Sequence, residues 1–149
     1  MVNLFSDFHF ETNYEKIFFF FKMLIIWTTY FLIVNVLIKP EKIWLNLSKK
    51  HADDIRNRIV SISHGLFTFL VSTYHIFQHK PQYNEPITEF QHFLILMSAS
   101  YFTYDLIACI YYRLTDVALY IHHLLVILGY FMDEYSGYGG TETLSFYLE

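Results

Sequence analysis

Residues 98–129 read SASYFTYDLIACIYY, then a short hinge RLTD, then VALYIHHLLVILG. Each of the two apolar runs holds ionisable side chains well inside it: Asp105 in the first, His122 and His123 in the second. In water this would be a helical hairpin with a few buried polar groups. In a bilayer an ionisable residue within a spanning helix is costly and marks a functional site by default. The solvent around the chain therefore decides how the stretch is read.

Composition identifies that solvent. The 149 residues are 54% hydrophobic and 21% aromatic, and only 16% are charged, against about 25% in soluble domains. The net charge of −4 offers no basic surface for nucleic acid. Cys109 is the single cysteine, so no intrachain disulfide forms and the redox compartment stays open.

Four apolar segments are long enough to cross a membrane. The first, IFFFFKMLIIWTTYFLIVNVLI, covers Ile17 to Ile38, and its 22 residues meet the ~20 that a bilayer-spanning helix needs. It lacks the basic start, short apolar core and small residues of a cleaved signal peptide. Lys22, a turn and a half inside, can extend outward along its own stem. Lys39-Pro40 ends the span, since proline has no N–H to donate and restrains the residue before it. A charged connection, EKIWLNLSKKHADDIRNR, precedes a second span over about Ile59–Phe77. The loop QHKPQYNEP carries two prolines and reads as a turn. The third span covers about Phe90–Tyr112 and the fourth about Val117–Met132, with Thr115 and Asp116 suited to capping its start. DEYSGYGG then breaks the pattern, and TETLSFYLE begins a fifth apolar segment where the chain stops. The predicted architecture is an all-α, multi-pass transmembrane helix bundle with four complete spans and the start of a fifth. Residues 1–51 hold the N-terminal segment, first span and cytosolic loop, and 52–149 the second unit.

Charge sets the expected orientation. Lys39, Lys42, Lys49, Lys50, Arg56, Arg58 and Arg113 fall in the first and third connections, while only Lys16 and Lys80 flank the other side. Acidic residues collect on that other side: Asp7, Glu11, Glu15, Glu85, Glu89, Asp133, Glu134 and Glu142. The positive-inside rule then places the first and third connections in the cytosol and the N-terminus outside.

Depth brings the polar groups together. His64 lies five residues from the cytosolic start of its span, Asp105 seven from the cytosolic end of the next, and His122 and His123 five and six into the fourth. At ~1.5 Å of rise per residue, all four sit roughly 7–11 Å below the same boundary. Helical periodicity gives Ser61, His64, Thr68, Ser72, His75 and His79 one face of the second span. Gln91, Ser98, Tyr101, Asp105 and Tyr112 share a face of the third, opposite Ile107. Such polar stripes turn away from lipid. His123 shares its side with Asp116, Tyr120 and Tyr130, whereas His122 points about 100° away.

Two readings of this layer stay open. An Asp–His pair serves acid–base chemistry, the carboxylate orienting an imidazole that takes a proton from a hydroxyl or amine; it equally serves as a neutralised structural pair. The serines and threonines read as helix packing or backbone bonding. His75 and His79 have the i, i+4 spacing of a metal-binding face, but at the far end of the span from His122 and His123, and Leu119 stands where an HxxHH box needs its first histidine. No metal centre and no cofactor are expected. Cys109 reads as apolar packing.

NRIVSISHGLFTF, YFTYDLIACIYY, ALYIHHLLVILGY and SGYGGTETLSFYLE, in that order, resemble segments of the TLC (TRAM–Lag–CLN) domain proteins over roughly residues 52–149, and most of all the small TLC-domain-containing proteins. In these a histidine in an early helix, an Asp after an aromatic pair and a His-His pair recur. Ceramide synthases share the domain and place a His-His pair at the acyl-transfer centre, so the resemblance implies His122 and His123 as a catalytic site with Asp105 and His64 beside them. The chain departs from the longer ceramide-synthase signature, continuing as LLVILGYFMDEYSGYGG. The resemblance implies membrane lipids as partners, and acyl-CoA or a sphingoid base if the protein is an acyltransferase. It implies the endoplasmic reticulum or a related endomembrane as location, and further spans beyond Glu149. Of the two functions, a protein that binds lipid or regulates lipid composition is favoured over an acyltransferase, with His64, Tyr101, Tyr104 and Thr68 forming a polar, lipid-binding layer. A transporter is the third reading, without the broken helices or repeats that would support it.

Overall fold

The computed structural model describes residues 9–43, 47–78, 83–114 and 116–147. Asp7, His79, Lys80 and Thr115, singled out above, lie outside the described residues. The elements are α1 (Asn13–Leu37), α2 (Pro40–Ile43), α3 (Lys49–Gln78), α4 (Glu89–Tyr112), α5 (Val117–Ser136) and α6 (Gly140–Phe146). Among the described residues there is no strand, and α1, α3, α4 and α5 are each long and apolar enough to cross a membrane. The fold is an all-α bundle of four such helices.

Local chemistry sets the helix ends. Thr12 and Glu15 form a capping box that starts α1, each side chain bonding the other's backbone N–H. Thr88 and Gln91 do the same for α4. Asp116 starts α5 by accepting from the Leu119 N–H at 3.1 Å. At the close of α1, Ile38 turns extended and Pro40 takes the first position of α2, where its missing N–H loses nothing. Arg113 at φ 53° closes α4 and Gly137 at φ 73° closes α5.

Three boundaries differ from the sequence reading, the first being α1, which begins at Asn13, four residues before Ile17, at its capping box. Helix α3 begins at Lys49, ten residues before Ile59, because the inward spacing of the span continues through the charged segment. Ala52, Asp53, Arg56, Asn57, Val60, His64, Thr68 and Ser72 are all buried along one stripe. Burial of the charges there is compensated. Arg56 donates to Asp53 (2.9 Å), Glu41 (2.6 Å) and the Ile38 carbonyl (3.0 Å), tying the ends of α1 and α2 to α3. Helix α5 likewise runs past Met132 to Ser136, because Glu134 is engaged inside the bundle. It bonds His92 at 2.8 Å and Lys16 at 3.0 Å, joining α5, α4 and α1 at the acidic end.

Helix α4 is the centre. In its most apolar window 72% of residues are buried, against 17% in α1, 22% in α3 and 17% in α5. The other three therefore show most of their apolar surface outward, as helices bathed in lipid do. Helices α1 and α5 pack most extensively on α4, with α3 against both α1 and α4 and α6 against α4. Trp27, Phe31 and Val34 of α1 enter the same core cluster as Tyr101, Tyr104 and Leu144.

Candidate functional site

The site forms where α3, α4 and α5 turn their polar stripes toward one another. On α4, Asp105 is 5% exposed, and on α5, His123 is 4% exposed. Their Oδ2 and Nε2 atoms are 2.6 Å apart. The other carboxylate oxygen, Oδ1, accepts from Asn57 Nδ2 of α3 at 2.5 Å. Asn57 in turn accepts at Oδ1 from the Tyr104 hydroxyl at 2.8 Å. Cys109 Sγ stands 3.9 Å from Asn57 Nδ2 and 4.0 Å from Asp105 Oδ1. The cysteine read as apolar packing thus borders the polar chain. Tyr120 closes the layer by donating to the Cys109 carbonyl at 3.2 Å.

The second ring nitrogen of His123 is also occupied. Its Nδ1 lies 2.7 Å from the carbonyl oxygen of Leu119, one turn earlier in α5. A carbonyl only accepts, so Nδ1 carries a proton. One further proton sits between Nε2 and Asp105 Oδ2, on the ring or on the carboxyl group. Either way the pair is electrically neutral as a unit, and neither ring nitrogen has a lone pair open to a substrate.

His64 occupies a separate compartment. Its Nε2 is 3.2 Å from Ser98 Oγ, its ring stacks on Tyr101 at 3.9 Å and 10°, and Trp27 meets its edge at 5.6 Å. Phe102 stands between the two imidazoles, 5.9 Å from His64 and 5.6 Å from His123. Thr68 is buried but donates back to the His64 and Gly65 carbonyls of its own helix. His122 is exposed on the outer face of α5, its ring 5.8 Å from that of His123. The structure therefore unites Asp105, His123 and Tyr104, sets His64 and Tyr101 beside them, and leaves His122 out. Among the described residues, no group of three or more His, Cys, Asp and Glu is placed to hold a metal ion.

Asn57 is the member the sequence reading missed. Two helical turns before His64, it lies on the same face of α3, but it sat in a segment taken for a loop. Extending the periodicity backward from Thr68, His64 and Val60 was the signal that would have found it.

The family model for the TLC domain matches residues 54–139. The chain belongs to the TLC-domain family. The match runs from the first turns of α3 to Gly139 at the start of α6, so it contains Asn57, His64, Asp105 and His123 together. No solved structure matches this TLC-domain chain.

Proposed function

We propose that this TLC-domain protein binds membrane lipid and regulates lipid composition, in the endoplasmic reticulum or a related membrane, with the basic connections facing the cytosol. Residues 52–149 act as the TLC unit, served by the helix and loop of residues 1–51. The observation that carries this is the double engagement of His123. A general base needs one ring nitrogen oriented by its partner and the other turned to the substrate. Here Asp105 takes Nε2 and Leu119 takes Nδ1, so the pair serves as an interhelical tie. The acyltransferase alternative, which would join acyl-CoA to a sphingoid base, requires His123 to leave Leu119 or the exposed His122 to act alone.

Lipid profiles of cells expressing the intact protein, His122→Ala, Asp105→Asn and the His122→Ala/His123→Ala double variant separate the two. Lipid regulation through a structural layer predicts that His122→Ala and Asp105→Asn keep the profile, and that the double variant loses effect only as far as folded protein falls. One lipid product that disappears with His122→Ala or Asp105→Asn at equal protein level establishes the transferase instead.

A further inference from the structure

The outer wall between α1 and α4 carries a groove of about 220 Å³, lined among others by Thr28, Phe31 and Leu32 of α1 and by Tyr104, Ala108 and Tyr112 of α4. The two helices run in the same direction: Phe10 bonds Glu89 and Lys16 bonds His92 at one end, and Phe31 meets Tyr112 toward the other. The groove occupies the half nearer the basic end. Its rims are lipid-facing, with Leu32 54% and Ile107 57% exposed. Between two membrane-spanning helices, what reaches such a rim is hydrocarbon.

The basic end supplies a second determinant. Tyr111 is 77% exposed beside Tyr112, and tyrosines collect where spans meet the headgroup layer. Arg113 follows at once, exposed and in no ion pair among the described residues, and Lys42 is exposed on α2 after the end of α1. Basic side chains at the cytosolic end of a cleft between spans select anionic lipid headgroups. Tyr104 connects the groove to the polar chain: its ring walls the groove and its hydroxyl donates to Asn57, which holds Asp105.

We propose that the α1/α4 groove is a binding site for one phospholipid with a negatively charged headgroup. An acyl chain lies against Phe31, Tyr104 and Ala108, and the headgroup lies at Arg113 and Lys42. The proposal rests on the lipid-binding reading and names its site and lipid class. A lipid seated there packs on Tyr104 and favours the closed polar chain, so occupancy lowers the population of the open form that exposes Cys109.

The test uses the full chain in detergent micelles doped with photoactivatable phosphatidylserine or phosphatidylcholine, each with the reactive group in mid-chain. Cross-links from phosphatidylserine should concentrate on the peptides holding residues 24–32 and 104–112. Thr28→Trp, which fills the groove from an exposed position, should reduce them several-fold, while Ile62→Trp on the exposed face of α3 should leave them unchanged. Leu32→Trp is the second groove-filling variant if Thr28→Trp does not insert. Arg113→Gln should lower the preference for phosphatidylserine by about five-fold, the value of one basic side chain at a charged surface. Labelling spread evenly over the outer faces of α3 and α5, or undiminished in the groove-filled variants, overturns the site. If lipid is still retained in that case, the lipid-binding reading stands; if the protein retains no lipid, the reading fails as well.

Discussion

Replacing Asp105 by alanine and by asparagine should have sharply different consequences. Alanine leaves two buried polar atoms without partners, the Asn57 Nδ2 donor and the His123 nitrogen that faced the carboxylate. At about 1–3 kcal/mol for each buried group left unsatisfied, the loss is about 2–6 kcal/mol. For a chain of this size that lowers the unfolding midpoint by roughly 5–20 °C. The lower end is the better expectation, because helices separated within a membrane still find other polar partners. Asparagine keeps every bond. Its amide donates to a neutral His123 at Nε2, its carbonyl accepts from Asn57, and Nδ1–H still serves Leu119. Asp105→Asn should therefore stay within about 1 kcal/mol of the parent, the net worth of one hydrogen bond. The assay is built into the chain: Cys109 is the only cysteine, buried against Asn57 and Asp105. A thiol-reactive dye followed during heating reports the opening of this layer directly. An Asp105→Asn midpoint as low as that of Asp105→Ala would show that charge, not hydrogen-bond geometry, holds the layer together. An Asp105→Ala midpoint equal to the parent would show that the layer is not closed as described.

Other perturbations have equally definite outcomes. Asn57→Ala frees Tyr104 and Asp105 at once and should destabilise by about 2–6 kcal/mol, at about 1–3 for each group, whereas Tyr104→Phe removes a single donor and should do less; the same dye midpoint ranks them. In a Cys109→Ala background, Lys50→Cys should be labelled only after the membrane is opened on its cytosolic side, and Tyr83→Cys from the opposite face; labelling of both from one side overturns the topology. Gly139 has φ 96°, and a Cβ there would sit 2.7 Å from Asp133 Oδ1, so Gly139→Ala should lose about 1–3 kcal/mol through backbone strain plus a displaced carboxylate. Gly137, at φ 73° with nothing within 4 Å, bears only the strain, so Gly137→Ala should be the milder of the two in the same assay.

What the sequence made legible followed from periodicity and depth. The four long helices, the inward face of α4 with Gln91, Ser98, Tyr101 and Asp105, and the meeting of Asp105 with His123 all follow from spacing alone. Three features were hidden for separate reasons. Helix α3 was cut short because charged residues argue for a loop until their partners are known, and the partners of Arg56 lie 3 and 15 positions away in the chain. The separation of His64 from His123 depends on Phe102, whose ring direction no linear pattern specifies. The engagement of His123 Nδ1 by its own helix depends on a rotamer, and that single torsion decides between a base and a tie.

The central position of α4 follows from the same chemistry that fills the site. Lipid tails are as apolar as leucine, so burying apolar surface does not by itself decide which helices adjoin in a membrane. Polar pairs do decide it, because an unpartnered donor or acceptor in hydrocarbon is costly. Each neighbour of α4 is joined to it by at least one such pair. Lys16 bonds His92 from α1, Asn57 bonds Asp105 and His64 bonds Ser98 from α3, His123 bonds Asp105 from α5, and Thr141 bonds Gln91 from α6. No other helix in the bundle has polar ties to four partners among these bonds. Asp105 is the most demanding of them, since its two oxygens serve two different helices at one level of the bundle. Its carboxylate therefore fixes the spacing of α3 and α5 about α4, and with it the wall that Tyr104 presents to the α1/α4 groove. On the proposal that the α1/α4 groove takes a lipid, that site and the fold organised by a buried acid are the same arrangement.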